Sequence, residues 1–191
     1  MRSSVLIGCA LCFQIVGLSG CADIPGKTAA QQAQTIDKLV ERTLPDLYNE
    51  YPQTKQEIAN SVGYAIMEND LVKVPIFGEG SGYGVAIDNK SGKKTYITMM
   101  RFDIGGGDGG RIVRPVVIFQ SEKKFKDFTE GTWSVGAGAE AAAKVGATGA
   151  AGGAGSDGVG DKGYAIYMIT DSGVAATATV DVIHVSPVKL K

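Results

Sequence analysis

From Ile36 the apolar residues fall at Leu39, Val40, Leu44, Leu47, Tyr48 and Tyr51, a spacing of three and four that gathers them on one helical face. Pro45 interrupts this run. It carries no amide donor and clashes with the preceding turn, so it predicts a break into two helical pieces. A second helix is expected over residues 53–62. After Gly63 the period shortens toward that of strands. Tyr83-Gly84-Val85-Ala86-Ile87 and Thr95-Tyr96-Ile97-Thr98-Met99 flank Asp88-Asn89-Lys90-Ser91-Gly92-Lys93, which reads as a hairpin loop. Further strands are expected at 113–119, 133–143, 164–170 and 174–185, with Asp171-Ser172-Gly173 turning the last pair. Residues 121–128 form a short helix that turns Phe125 and Phe128 inward.

Successive strands joined by short turns predict an α+β domain: N-terminal helices packed on a curved or barrel-like, mainly antiparallel β-sheet. The composition supports the curvature. Glycine supplies 27 of 191 residues, about twice the usual share of roughly 7%, and glycine lets backbones approach closely at sharp bends. No stretch recurs at a solenoid period.

The first 21 residues carry an address. Arg2 is followed by an almost wholly apolar run over 5–18, and no acidic residue appears before Asp23. The run is too short to span a membrane and reads as a secretory signal peptide, residues 1–20. It ends in Leu18-Ser19-Gly20-Cys21, which resembles the lipobox of bacterial lipoproteins. That resemblance implies cleavage before Cys21 and a covalent lipid anchor on it, with residues 21–35 as a lipidated tether and 36–191 as the folded domain. Ala22 rather than an aspartate follows the cysteine, the pattern expected for export to the outer membrane, on its periplasmic side. Cys9 and Cys12 would leave with the signal, so the mature chain keeps one cysteine and no disulfide.

Charge and motifs narrow the chemistry. A formal charge of −1 argues against a nucleic-acid partner, which calls for a basic excess. Ile104-Gly105-Gly106-Gly107-Asp108-Gly109-Gly110 could form an anion nest but lacks the ending of a P-loop, and it reads as a loop between strands. Gly152-Gly153-Ala154-Gly155-Ser156-Asp157-Gly158-Val159-Gly160 is one copy of a calcium nonapeptide, which needs neighbours to share each ion. His184, the one histidine, has no paired serine and aspartate motif. No enzyme, cofactor or metal site is expected.

The distribution of charge says more than its total. Residues 88–126 hold nine bases against four acids. Lys90, Lys93 and Lys94 sit at one hairpin tip, and Arg111 and Arg114 follow the glycine loop. Together they make a candidate basic face for phospholipid headgroups. The alternative is that Arg101 pairs with Asp103 while the lysines are simply solvated.

From Leu39 to Val185 the chain resembles the SYLF domain family, and specifically a bacterial lipoprotein subgroup. The likeness lies in Gly63-Tyr64-Ala65-Ile66, Lys73-Val74-Pro75-Ile76-Phe77-Gly78, Gly80-Ser81-Gly82-Tyr83-Gly84-Val85, Met100-Arg101-Phe102-Asp103-Ile104-Gly105-Gly106-Gly107, Trp133 and Gly136-Ala137-Gly138-Ala139-Glu140-Ala141. The resemblance implies an α+β domain that binds membrane phospholipids. The eukaryotic members' Trp-Ser-x-Pro-Ala-Phe stretch is replaced here by Lys93-Lys94-Thr95-Tyr96-Ile97-Thr98, so their actin binding does not carry over. The other function class open to the sequence is a structural or interaction lipoprotein that docks an acidic envelope protein partner.

Overall fold

Thr28 opens the first helix: its backbone is extended and its hydroxyl accepts from the Gln31 amide at 3.3 Å, an N-cap that satisfies one of the free donors of the first turn. The computed structural model describes residues 23–191 except 75–76, 107–108, 133, 145–162 and 173–174. The signal peptide, Cys21, Trp133 and the 152–160 nonapeptide lie outside the described residues.

Helix α1 spans Ala29–Glu50 without interruption, with Pro45 inside it, which corrects the expected break. An interior proline costs about 3 kcal/mol. Each large apolar side chain fully buried returns about 1.5–3 kcal/mol, and Ile36, Leu39 and Leu47 are all buried along one stripe. The stripe outweighs the missing bond. The packed domain also begins earlier than Ile36. Ile24 is buried, and the buried Gln32 amide donates to its carbonyl at 3.0 Å. Much of the expected tether is therefore helix. A short α2, Thr54–Ala59, ends before residue 62, because the Val62 amide already bonds the Phe119 carbonyl at 2.8 Å.

Seven strands follow: β1 Gly63–Val74, β2 Phe77–Asp88, β3 Lys94–Gly106, β4 Gly109–Phe119, β5 Ser134–Lys144, β6 Tyr164–Ser172 and β7 Ala175–Pro187, with helix α3, Glu122–Thr129, between β4 and β5. They form one antiparallel sheet in the order β5-β7-β3-β2-β1-β4-β6. The α+β expectation holds. Residues 104–106 and 109–110, expected as loop, extend β3 and β4.

The last two strands do not make the expected hairpin. β6 pairs with β4, and β7 lies between β3 and β5. In a flat sheet five steps of about 4.8 Å would separate β6 from β7 by about 24 Å. Yet Ser172 and Ala175 are joined by three peptide units, which span at most about 11 Å. The sheet therefore curls strongly on itself, and β4 and β7 come within 8 Å of each other between Cα atoms. β5 and β6 are its edges.

Curling divides the core in two. Inside lie Ala65, Met67, Ala86, Ile97, Met99, Val117, Phe119, Ile183 and Val185. Helix α3 closes one mouth of this interior with Phe125 and Phe128, whose rings sit 5.5 Å and 5.1 Å from that of Phe119. Outside, α1 and α2 cover Ile66, Val116, Ile118, Ala165, Tyr167 and Ile169, and Ile24 and Ile36 cover Val85. Two glycines of β2 make the tight curl possible. A Cβ at Gly82 would stand 2.1 Å from the Glu68 carbonyl oxygen, and one at Gly84 2.2 Å from that of Ile66.

Candidate functional site

The β2–β3 hairpin is built by Asp88. Its Oδ1 accepts from the Ser91 amide and the Ser91 hydroxyl, each at 2.7 Å, and these bonds hold its carboxyl below the usual range. Gly92 takes a φ of +70° with open space where a side chain would stand. Asn89 fastens the tip to the end of α2: its Nδ2 donates to the Ile58 carbonyl at 2.7 Å and to the Ser61 hydroxyl at 2.9 Å. Lys90 and Lys93 are exposed on this anchored tip.

The remaining expected site residues go elsewhere. Lys94 Nζ donates to Asp37 of α1 at 2.6 Å, a bond that raises the lysine pKa against the opposing effect of partial burial. Arg114 points outward from β4 but lies beneath α1, where it donates to Thr43 at 3.0 Å and Asp46 at 2.7 Å. It is buried, which removes it from the headgroup-binding set. The side chain of Arg111 is outside the described residues, but its backbone position is fixed: it pairs with Leu71, whereas Lys94 pairs with Ile87, the partner of Tyr64. Seven residues of β1 separate those levels, about 23 Å, well beyond a Debye length of about 8 Å. The five bases therefore do not make one face.

Near the hairpin the chain's first and last described residues meet. Lys191 Nζ contacts the Asp23 carboxylate, which lowers the Asp23 pKa, and the Lys191 amide donates to Gln32 Oε1 at 2.8 Å. The Val188 amide bonds the Tyr96 carbonyl at 2.9 Å. Lys27 and Lys189 are exposed beside these contacts. The sequence carried no local signal of this, because the two segments lie far apart along the chain.

Deeper in the interior the sheet turns polar. Arg101 and Asn69 are both fully buried, and both amide atoms of Asn69 lack a hydrogen-bond partner among the described residues. Gly80, which pairs with Arg101 on one side and Leu71 on the other, stands so close to Asn69 that a Cβ on it would meet Asn69 Oδ1 at 2.6 Å. The expected partner of Arg101, Asp103, has its side chain outside the described residues.

The far end of the outer face carries exposed apolar side chains. Val72 is 67% and Phe77 46% exposed, with Met100 and Phe102 beside them. The Phe77 and Phe102 rings are 6.5 Å apart.

The chain is similar to Beta cell expansion factor A of Aeromonas veronii. Identity is 28% over 154 residues, 81% of this chain and 56% of the relative, so the chain spans about half the length of the curated relative it matches. No family model matches the chain. His184 is exposed on β7. Among the described residues no group of three His, Cys, Asp or Glu is placed to hold a metal ion, and no helix is long and apolar enough to cross a membrane.

Proposed function

We propose that this chain is a bacterial envelope lipoprotein with a non-enzymatic, SYLF-like domain that binds membrane phospholipids. Residues 1–20 are its signal peptide, Cys21 carries the covalent lipid, and the protein sits on the periplasmic side of the outer membrane. The observation that carries this reading is the pair Lys90 and Lys93, exposed on a hairpin tip that Asn89 ties to the body of the domain. A fixed tip presents two charges without first ordering a loop, and a lysine near an anionic membrane surface contributes about 1 kcal/mol.

The test is co-sedimentation of the protein with vesicles of phosphatidylglycerol and of phosphatidylcholine, together with acyl labelling of the wild type and of Cys21→Ser. Binding to the anionic vesicles is expected to weaken with salt, and labelling is expected to disappear in the variant. Binding to neither vesicle, with capture of an acidic envelope protein instead, favours the interaction-lipoprotein reading. Normal labelling of Cys21→Ser removes the anchor.

A further inference from the structure

Exposed side chains of this size on one stretch of sheet call for a partner, since isolated apolar groups are common on surfaces but contiguous patches mark contacts. Val72, Phe77, Met100 and Phe102 surround Glu79 in the register: Val72 and Phe102 pair with it from either side, Phe77 stands two residues before it on β2, opposite Val74, and Met100 stands two residues before Phe102 on β3. All four lie on the outer face, the one that carries α1. Strand alternation places Phe102 on the same side of β3 as Tyr96, and Phe77 on the same side of β2 as Val85. Tyr96 and Val85 are the residues over which Ile24, Val188 and Leu190 pack.

That placement fixes where the chain enters the domain. Cys21 lies two peptide units before Asp23, a reach of at most about 8 Å. Asp23 itself is held by Lys191, and Ile24 is buried against the outer face. Six residues of β3 separate Tyr96 from Phe102, about 20 Å. The entry point and the apolar patch therefore share one face of β2 and β3, about 20 Å apart. Between them that face shows the uncharged Thr98 and Ser81, and the carboxylate of Glu79 lies within the patch.

We propose that Val72, Phe77, Met100 and Phe102 are a membrane-contact site that enters the lipid interface beside the anchor, so that the domain lies on its outer face with α1 flanking the contact. The proposal rests on the lipid-binding reading given above and adds an apolar contact to its electrostatic one. The apolar term is insensitive to salt, whereas the lysine term is screened. The partner is the bilayer interface and not a second copy, because the covalent lipid at Cys21 would hold this face within reach of the bilayer at all times.

The experiment uses the full chain, processed in bacteria and reconstituted in vesicles of phosphatidylcholine mixed with phosphatidylglycerol. In one variant, Phe77→Cys, a polarity-sensitive dye is attached. In a second, Phe77→Ser and Phe102→Ser are combined. The dye is expected to shift to the blue and to be quenched by lipid-borne quenchers. Without Cys21 acylation, the double variant is expected to bind vesicles roughly tenfold more weakly, equivalent to about 1.4 kcal/mol, even at about 1 M salt, where the Debye length is about 3 Å. Its melting temperature should be unchanged, because both rings are already exposed. A dye that stays in a water-like environment while Lys90 and Lys93 still support binding overturns the patch and leaves the lysine reading standing. Loss of all vesicle binding by the wild type overturns both. A blue shift that depends on protein concentration without vesicles assigns the patch to self-association and overturns the proposal.

Discussion

Arg114 of β4 and Asp46 of α1 meet at 2.7 Å across the helix–sheet interface, with 5% of the arginine side chain exposed and 49% of the aspartate. Thr43 accepts a second bond from the same guanidinium. Two further pairs join α1 to the sheet: Arg42 with Glu68, and Asp37 with Lys94. Glu68 also accepts from the Tyr83 hydroxyl at 2.7 Å.

Removing Asp46 takes one carboxylate partner from a buried cation. Breaking a fully buried pair costs about 3–5 kcal/mol, and the half-exposed aspartate lowers that to roughly 1–3 kcal/mol. Asp46→Ala should therefore lose stability by that amount in urea denaturation while its folded fraction binds vesicles like the wild type. An unchanged midpoint would show that the pair contributes nothing.

Asn69 gives the opposite sign. An unpaired buried amide carries a desolvation cost of about 1–3 kcal/mol, and leucine has a similar shape. Asn69→Leu should raise the melting temperature, by about 2–4 °C per kcal/mol recovered in a domain of this size. A fall in melting temperature would mean that the amide has a partner in solution.

The curl of the sheet depends on close backbone approach. Gly84→Ala would drive a methyl to 2.2 Å from the Ile66 carbonyl oxygen, and such overpacking costs about 1–3 kcal/mol. Gly92→Ala meets nothing within 4 Å, so it pays only the positive φ, about 1–2 kcal/mol. Thermal melts of the two variants should place Gly84→Ala at or below Gly92→Ala, and the reverse order would contradict the packing described for β1 and β2.

Tyr167 titrates late. Burial, and then its 2.6 Å bond to Glu57, push its pKa up from 10.0 to about 12. The folded state holds this proton more tightly than the unfolded chain. Its contribution is complete below pH 10 and is lost as pH rises from 10 toward 12. Tyr167→Phe should make the alkaline loss of stability shallower, and an identical alkaline limb in both proteins would remove Tyr167 from it.

Local pattern carried most of the elements, and its failures share a cause. The 88–93 hairpin was legible because Asp88, Ser91 and Gly92 define their own turn. The continuity of α1 through Pro45 was not, since it depends on the sheet that Leu39 and Leu47 pack against. The partnering of β6 with β4 rather than β7 is a property of the whole sheet, which Asp171-Ser172-Gly173 does not encode. Arg114 could have been placed from sequence: it alternates with Val116 and Ile118 on one face of β4, the signature of a buried side. Counting it by charge alone put it on the surface. Lys94 needed Asp37, far away in the chain, to become a structural lysine.

The central claim is that Lys90 and Lys93 engage anionic phospholipid. The most direct test is the salt dependence of vesicle co-sedimentation for the wild type and for Lys90→Gln with Lys93→Gln, which spares the α1 contact of Lys94. At about 1 kcal/mol per lysine near the surface, the double variant should bind phosphatidylglycerol vesicles roughly ten- to thirtyfold more weakly at low salt, with a shallower salt slope and an unchanged melting temperature. Equal affinity and an equal slope in the two proteins would contradict the account.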